Sequence, residues 1–286
     1  MIAPRITLPK PSDRLPLGAS GLFVSPYCLG MVADPETVLR AYESGVNFFF
    51  LTADLHWPLY RGLRRGLSKL LEGSSRRRQQ IVVAVVSYLE NPLFAAFQFH
   101  EILDAVTGLG HVDMAMAGAV SSQESLHSRL DSLARARLAN HRGVRAVGAT
   151  FHQRQLAIAS REYGLLDLSC IRFNSGHPGA RLDLFPYLSP RRSSLLFNFK
   201  SMLSAISGER LAALGLPAGS WHPTATDCYR FVLSCPEIDG LLFAPQTPDE
   251  FDSFLNALDH GPLSPQEEQY MMAIAGHAGA LTGPLT

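Results

Sequence analysis

The sequence predicts an α/β protein with a parallel β-sheet, and three observations support this class. Short apolar runs of β-forming residues alternate with longer helical stretches, and the alternation repeats about eight times. Several of the short runs are apolar almost throughout, as expected for strands buried on both faces. No GxGxxG motif follows a strand, which gives little support to an open dinucleotide-binding sheet. Strand–helix alternation alone leaves two options, a closed (β/α)8 barrel and an open, doubly wound sheet.

The predicted strands are spaced along the chain as in successive βα units. They are Pro26–Gly30, Val46–Thr52, Ile81–Ser87, Val112–Gly118, Val144–Thr150, Leu166–Phe173, Leu195–Phe199 and Ile238–Phe243. Ahead of them, the segment Ile6–Val24 contains Gly18 and Gly21. Glycines at this spacing are typical of tight turns, so this segment predicts a β-hairpin that closes the bottom of a barrel.

The predicted helices fill the intervals between the strands. They are Pro35–Ser44, Leu59–Glu72, Pro92–Leu109, Ser121–Asn140, Gln153–Tyr163, Thr224–Ser234 and Pro248–Leu258. Asp34 before Pro35 and Thr247 before Pro248 are typical helix starts, with a capping side chain followed by proline. The basic run Arg76–Arg78 lies between two elements and is predicted to be a solvated loop.

Length and composition favour one domain over residues 1–286, with residues 272–286 as a mobile tail. Lys plus Arg equal Asp plus Glu at 25 each, which argues against nucleic acid or an anionic membrane as a partner recognised by bulk charge. We therefore expect a small-molecule substrate, with a homodimer left open by the near-neutral charge. No signal pattern or 18-residue apolar run is present, so a cytoplasmic location is expected. The four cysteines form no CxxC pair, and no metal site is predicted.

Several stretches resemble the aldo-keto reductases, a family of (β/α)8 TIM barrels. Leu17–Ser25 with Cys28–Gly30 resembles the family's LGxTGLxVSxxxLG opening, and Gly45–Asp54 resembles GxNFFDTAD. The other similar stretches, in chain order, are Val144–Gly148 (VRxIG), Arg172–Ala180 with Phe185-Pro186 (RYNAAHxGAE…FP), Asp227–Ser234 and Gly261–Ser264. The resemblance covers most of the chain and implies the closed barrel, with an active site at the C-terminal ends of its strands.

The same resemblance implies an Asp–Tyr–Lys–His tetrad that reduces carbonyls with NADPH, and the matching positions hold other residues. They hold Leu51 or, one residue earlier, Phe50 for Asp, His56 for Tyr, Val86 (beside Ser87) for Lys, and Gly118 for His. A positioned acid contributes about 10²–10⁴-fold to such a reaction, and Leu and Val cannot tune or support one. The sequence therefore predicts that the tetrad is replaced.

The family's cofactor positions also differ here. Cys170 matches the Gln that holds the nicotinamide amide, and Asn198 matches the stacking aromatic. Ala244–Thr247 matches the phosphate loop but lacks its glycine and arginine, and Asp249 and Glu250 follow. Because these acids repel phosphate, no cofactor is expected, with NADPH as the alternative.

Polar residues at the predicted strand ends are the candidates for a site. The predicted catalytic residues are His56, His152, Tyr88 and Glu90, and the predicted substrate-binding residues are Trp57, Arg172, Asn174 and Asn198. His56 could instead line the pocket, and His152 could cap the following helix. Tyr88 and Glu90 are considered as a proton donor and its support.

Three functions fit these observations. The first is a barrel enzyme that works without nicotinamide, by acid/base chemistry, as a cyclase, lyase or isomerase on a small, largely apolar substrate in a biosynthetic pathway. The second is a divergent NAD(P)H-dependent oxidoreductase with His56 as proton donor. The third is a non-catalytic binding partner.

Overall fold

The structure, a computed structural model, describes residues 4–52, 54–90, 97–162, 164–189, 193–205, 209, 214–217 and 219–282. Its strands are β1 Leu15–Pro16, β2 Phe23–Val24, β3 Tyr27–Leu29, β4 Phe48–Thr52, β5 Val82–Ser87, β6 Met114–Val120, β7 Ala146–Phe151, β8 Leu168–Arg172, β9 Leu195–Phe199 and β10 Gly240–Phe243. Strands β3 to β10 pair in parallel in chain order, and β10 pairs with β3. The predicted barrel is confirmed, and each of its strands overlaps a predicted run.

Helices surround the barrel, and each of the seven predicted helices overlaps an observed one, with residues 92–96 of the third lying outside the described residues. Three observed helices were not predicted: Ser75–Gln80, Ala180–Asp183 and Pro265–Thr282. The α-helices are Glu36–Glu43, Arg61–Leu71, Ser75–Gln80, Phe97–Ala105, Gln123–Leu138, Arg154–Glu162, Ala180–Asp183, Ala225–Leu233, Pro248–Asp259 and Pro265–Thr282. Short 3₁₀ turns cover Trp57–Tyr60, His141–Gly143, Phe185–Tyr187 and Ser201–Ser204. Both predicted caps are present, since the Asp34 carboxylate accepts the Glu36 N–H and the Thr247 hydroxyl accepts the Glu250 N–H. In the described residues, no helix is both long and apolar enough to cross a membrane.

The predicted N-terminal hairpin is confirmed as β1 and β2, and it lies under the barrel. Its turn contains Gly18 and Gly21, both with left-handed backbone. A Cβ on Gly18 would lie 1.9 Å from the Asp167 carboxylate, so the turn can approach β8 this closely only with glycine there. The hairpin therefore closes the N-terminal end of the barrel, which we call the bottom.

A repeated hydrogen bond joins the strands in pairs at the bottom. Four residues that directly precede β4, β6, β8 and β10 each accept an N–H from the neighbouring strand or its lead-in with a side-chain oxygen. The pairs are Asn47 with Ser25, Asp113 with Val83, Asp167 with Val147 and Asp239 with Leu196, at 2.6–2.9 Å. Each acceptor follows an apolar residue at the start of a predicted run. This device recurs at every second barrel strand and fixes the register of the strand pairs.

One expectation is corrected by packing. Arg78 lies in the helix Ser75–Gln80 rather than in a solvated loop, and its guanidinium is buried against Asp113 at 2.8 Å. The segment 272–286, for which a mobile tail was expected, is helical as far as residue 282 within the helix Pro265–Thr282, and residues 283–286 lie outside the described part. That helix buries Met271 and Ile274, which holds it to the barrel.

Aromatic side chains fill the barrel interior below its C-terminal end. The rings of Phe48 on β4 and Phe197 on β9 meet with centroids 6.0 Å apart, and both residues are fully buried. Because β4 and β9 are not neighbours in the sheet, this contact crosses the interior of the barrel. Above these rings a cavity lies near the C-terminal ends of the strands, which we call the mouth.

Candidate functional site at the barrel mouth

A cavity of about 350 Å³ lies at the mouth. It is lined by Gly30, Met31, Phe50, Leu55, His56, Tyr60, Tyr88, Ala119, Thr150, His152, Phe199, Lys200, Ser201, Met202, Tyr229, Leu242, Phe243 and Ala244. Its walls are mostly apolar, with a few titratable groups, and its volume is at the low end of the range for small-molecule sites. Among the described residues that line it there is no carboxylate.

Strained backbone concentrates at this cavity. Five described residues other than glycine have a left-handed backbone, and three of them line the cavity: His56, Ala119 and Lys200, with φ of 71°, 51° and 62°. Such a conformation costs about 1–3 kcal/mol per residue and tends to be kept at functional sites. The β6 register shifts beside Ala119, whose N–H donates to the Thr150 hydroxyl at 2.8 Å. The strain identifies the mouth as the candidate site.

Tyr88 stands in the cavity over a glycine. A Cβ on Gly118 would lie 2.5–2.9 Å from ring carbons of Tyr88, so the ring occupies the space that a side chain at 118 would need. The ring also meets His56 edge to face, with centroids 5.9 Å apart. Burial and the nearby Asp54 carboxylate raise the pKa of Tyr88 to about 12, so its hydroxyl is protonated at neutral pH. Asp54 also accepts the Tyr88 N–H at 2.7 Å.

His152 faces the same cavity from the end of β7, and its ring meets Phe199 with centroids 5.4 Å apart. Burial lowers the pKa of His152, and the positive charges of Lys200 and Arg172 lower it further. Its imidazole is therefore neutral at pH 7 and able to accept a proton. The predicted residues His56, Tyr88 and His152 are thus brought together in one cavity.

Tyr60 is a further titratable group of the cavity that sequence reasoning missed. It ends the 3₁₀ turn Trp57–Tyr60, is almost fully buried, and packs its ring against Phe50. Burial raises the pKa of its hydroxyl, and Tyr88 raises it further. The available signal was its place in the loop after β4, directly beyond His56 and Trp57.

Three other predicted residues lie around the cavity but do not line it. The Glu90 carboxylate accepts from the Ser125 hydroxyl at 3.2 Å on the surface. The Arg64 guanidinium stacks over the Trp57 ring, 3.6 Å from its centroid, and also donates a hydrogen bond to the backbone carbonyl of Trp57. Arg172 ends β8, and its charge acts on His152.

Asn174 and Asn198 are fully buried, and protein groups use their amides. The Asn174 Nδ2 donates to the Lys200 carbonyl at 2.9 Å. The Asn198 Nδ2 donates to the Phe173 carbonyl at 2.6 Å, and its Oδ1 accepts from the Ser201 hydroxyl. These two side chains, which the sequence predicts to contact substrate, tie the loops after β8 and β9 together.

Side chains alternate along a strand, and on β4 and β9 the structure shows which of two neighbouring side chains faces the cavity. On β4, Phe50 lines the cavity, whereas Leu51 is buried and does not. On β9, Phe199 lines the cavity, so an aromatic faces the mouth one residue after the predicted Asn198. Val86 is also fully buried and does not line the cavity.

Within the described residues, no three His, Cys, Asp or Glu side chains form a group able to hold a metal ion.

Solved structures with a similar fold include aldo-keto reductases. The holo form of AKR11C1 from Bacillus halodurans superposes with a TM-score of 0.70 at 13% identity, over 92% of this chain and 96% of that one. Its apo form gives a TM-score of 0.65 at 14% identity over the same fractions. A Pseudomonas aeruginosa protein described as an aldo-keto reductase gives 0.65 at 15% identity, over 90% and 99%.

The expected resemblance is thus confirmed as a likeness of fold. No protein-family model matches the sequence. No curated protein matches it either.

Proposed function

We propose that the mouth is the active site of an enzyme that performs acid/base chemistry on a small, largely apolar substrate without a nicotinamide cofactor. The observation that carries the proposal is a pair of groups whose pKa values are pushed apart in one cavity. His152 is held neutral and Tyr88 is held protonated, so a base and an acid are available at the same pH. Cyclases, lyases and isomerases need such a pair.

The residues suggest roles for the proton transfers. His152 would remove a proton from the substrate, and the Tyr88 hydroxyl would donate to the oxygen or carbon where negative charge develops. His56, which contacts the Tyr88 ring, would orient Tyr88 or exchange protons with solvent. The apolar walls around Phe50 and Met202 exclude water and strengthen both interactions.

The residues at the positions that match the reductase tetrad favour a chemistry other than carbonyl reduction with NADPH. Phe50 or Leu51, His56, Val86 and Gly118 provide no Lys and no carboxylate to lower the pKa of a proton donor. The space over Gly118 is filled by Tyr88, a residue that the family pattern does not predict there. The proposal therefore takes the tetrad as replaced and its space as reused by Tyr88.

A nicotinamide dinucleotide, which the resemblance implies, does not fit the helix start after β10. Pro248 there has no N–H, and the Thr247 hydroxyl already accepts the Glu250 N–H. The Glu250 carboxylate in turn accepts the Gln246 N–H at 2.8 Å. Together with Asp249 these acids would repel a phosphate, and few backbone donors are left to hold one.

Deuterium exchange into a small neutral ketone tests the proposal. In D₂O, 4-phenylbutan-2-one loses the protons beside its carbonyl when a base removes them, which ¹H NMR follows directly. We expect the protein to accelerate this exchange and His152→Gln and Tyr88→Phe each to slow it by at least about tenfold. His260→Gln, which removes an exposed imidazole elsewhere, is the matched control. Exchange at the buffer rate, or unchanged in both variants, would overturn the proposal.

The alternative is an NAD(P)H-dependent oxidoreductase with His56 as proton donor, which the fold of the neighbours favours. Titration of the protein into NADPH and NADH, followed by nicotinamide fluorescence, separates the two functions. Saturable binding that His56→Ala leaves intact, with carbonyl reduction that His56→Ala abolishes, would establish the alternative. No fluorescence change at millimolar cofactor would exclude it.

A further inference from the structure

Two positive side chains at the mouth have no partner in the part of the chain that the structure describes. Arg172 is the last residue of β8 and pairs in register with Phe199, and Lys200 directly follows Phe199 at the end of β9. Among the described residues, neither side chain makes a hydrogen bond or an ion pair, and the Arg172 Nε is buried without an acceptor. A buried donor left unsatisfied costs about 1–3 kcal/mol, so it requires an explanation.

Arginines close to this place in the fold are paired. The Arg154 guanidinium binds the Asp183 carboxylate through two hydrogen bonds of 2.7 and 2.6 Å. Arg181 binds Glu268 through one terminal nitrogen at 2.7 Å, although its Nε, like that of Arg172, is buried without an acceptor. The carboxylates near β8 are thus already bound to other cations, and none of the described residues that line the cavity carries one.

Two histidines lie in the field of the same cations. Lys200 and Arg172 both lower the pKa of His152 and of His177, in each case after the larger effect of burial. The positive potential is therefore directed at the β7–β9 side of the mouth. The opposite side of the cavity carries His56 and Tyr88.

The fold holds these cations in place. Lys200 is fixed in a left-handed conformation, with its carbonyl bound by Asn174. Asn198 holds the next residue, Ser201, and the carbonyl of Phe173, the residue after Arg172. The two buried amides therefore fix the backbone from which both cationic side chains extend.

We propose that Lys200 and Arg172 form an anion site at the β8–β9 side of the mouth, and that the substrate is a small apolar molecule with one carboxylate or phosphate group. The anionic group would bind between the two cations, and the apolar body would extend between Phe50 and Met202 towards Tyr88. An arginine fork recognises either group through charge-assisted hydrogen bonds. This inference rests on the proposed function, for which it specifies the class of substrate.

Calorimetric titration with three matched ligands tests the site. Benzoate and phenyl phosphate carry the two kinds of anionic group, and benzamide is the neutral counterpart of benzoate. At low salt we expect one of the anions to bind at least about tenfold more tightly than benzamide. The anion that binds more tightly identifies the head group.

Variants of Lys200 and Arg172 test whether these two side chains cause the preference for an anion. Lys200→Gln and Arg172→Gln should each weaken binding of the preferred anion by about tenfold and leave benzamide unchanged. Arg65→Gln, which removes an exposed positive charge from the outer helix Arg61–Leu71, should change neither. Thermal unfolding of each variant verifies that it is folded; Lys200 is exposed, so its variant isolates the charge even if Arg172→Gln unfolds.

Equal affinity for benzamide and both anions, anion binding that survives Lys200→Gln unchanged, or no binding of any of the three ligands at millimolar concentration would each overturn the anion site. The ketone exchange test uses a neutral substrate and is independent of these outcomes. Exchange without anion preference removes only the anion site, whereas anion preference without exchange removes only the acid/base function.

Discussion

The bottom and the mouth of this barrel differ in whether their charged side chains are paired within the protein. At the bottom, Asp113 is fully buried and accepts from Arg78, Arg145 and the Val83 N–H, and His111 lies 3.3 Å from it. At the mouth, Lys200 and Arg172 have no partner among the described residues. The Asp113 cluster at the bottom is therefore paired within the protein, whereas these two cations at the mouth are not paired with any described residue.

The two ends also differ in backbone strain. At the bottom, the left-handed turn positions beside β1 and β2 are glycines, Gly18 and Gly21, which adopt this conformation without strain, although Asn140 and Arg142 before β7 also adopt it. At the mouth, His56, Ala119 and Lys200 adopt it at a cost. Among the described residues other than glycine, three left-handed positions therefore lie at the mouth and two at the bottom.

The largest expected effect is at the bottom. Asp113→Ala leaves the buried Arg78 without its partner, and we expect the free energy of unfolding to fall by about 3–5 kcal/mol in urea denaturation at pH 7. Asp131→Ala, which breaks an exposed ion pair with Arg135, should cost less than about 1 kcal/mol. A loss at Asp113 no larger than that at Asp131 would contradict the role assigned to the bottom.

The Asp113 carboxylate also makes the stability of the folded protein depend on pH. Burial alone would raise the pKa of Asp113, but the hydrogen bond from His111 and the charge of Arg78 hold it below its usual value. Its contribution is therefore fully present above the unfolded pKa of about 3.9 and is lost as the pH falls through the lower folded value. The stability difference between wild type and Asp113→Ala should shrink in that acid range.

An intermediate effect is expected at Gly118. Gly118→Ala places a methyl group within 2.5 Å of the Tyr88 ring, which must move, at a cost of about 1–3 kcal/mol. Displacement of Tyr88 should also slow ketone exchange. Gly276→Ala in the last helix, where no atom lies within 4 Å of the added methyl, is the control and should be neutral or slightly stabilising. If Gly118→Ala matches that control in stability and exchange, the proposed packing of Tyr88 over Gly118 is wrong.

The smallest expected effect is a change in the pKa of His152 at the mouth. Lys200→Met should raise the pKa of His152, because one of the two cations that act on it is removed while its burial stays. Arg172 and the titratable groups across the cavity, His56 and Tyr88, remain in both proteins. NMR titration of the imidazole measures the change, with Arg65→Met as the control for net charge. A constant or lowered pKa would show that Lys200 does not act on this site.

The strands and the hairpin were predictable because their signals are local. Buried parallel strands are apolar along their length, and the turn glycines Gly18 and Gly21 are recognisable one by one. The acceptors before alternate strands were also visible, as Asn47, Asp113, Asp167 and Asp239 each follow an apolar residue. Their function was not, because their partners lie 20 or more residues away.

Part of the site was predictable for the same reason. His56, Tyr88 and His152 each follow a strand, and the ends of parallel strands meet at one end of a barrel. On β9 the side chain that lines the cavity is that of Phe199, which the sequence could not show because a strand buried on both faces has no polar alternation to reveal which side chains point inward. Tyr60 was missed as a cavity residue because the conformation of its loop decides where it lies.

The sequence by itself determined the class of fold, the order of its elements and which residues follow the strands, since periodicity and turn chemistry are properties of neighbouring residues. Only the tertiary structure decided which charges are paired. The sequence predicted a solvated position for Arg78, yet it is buried against Asp113, whereas Arg172 meets no acceptor in the described residues. Pairing depends on which distant side chain the closed barrel brings within hydrogen-bond distance, and local sequence carries no record of that distance.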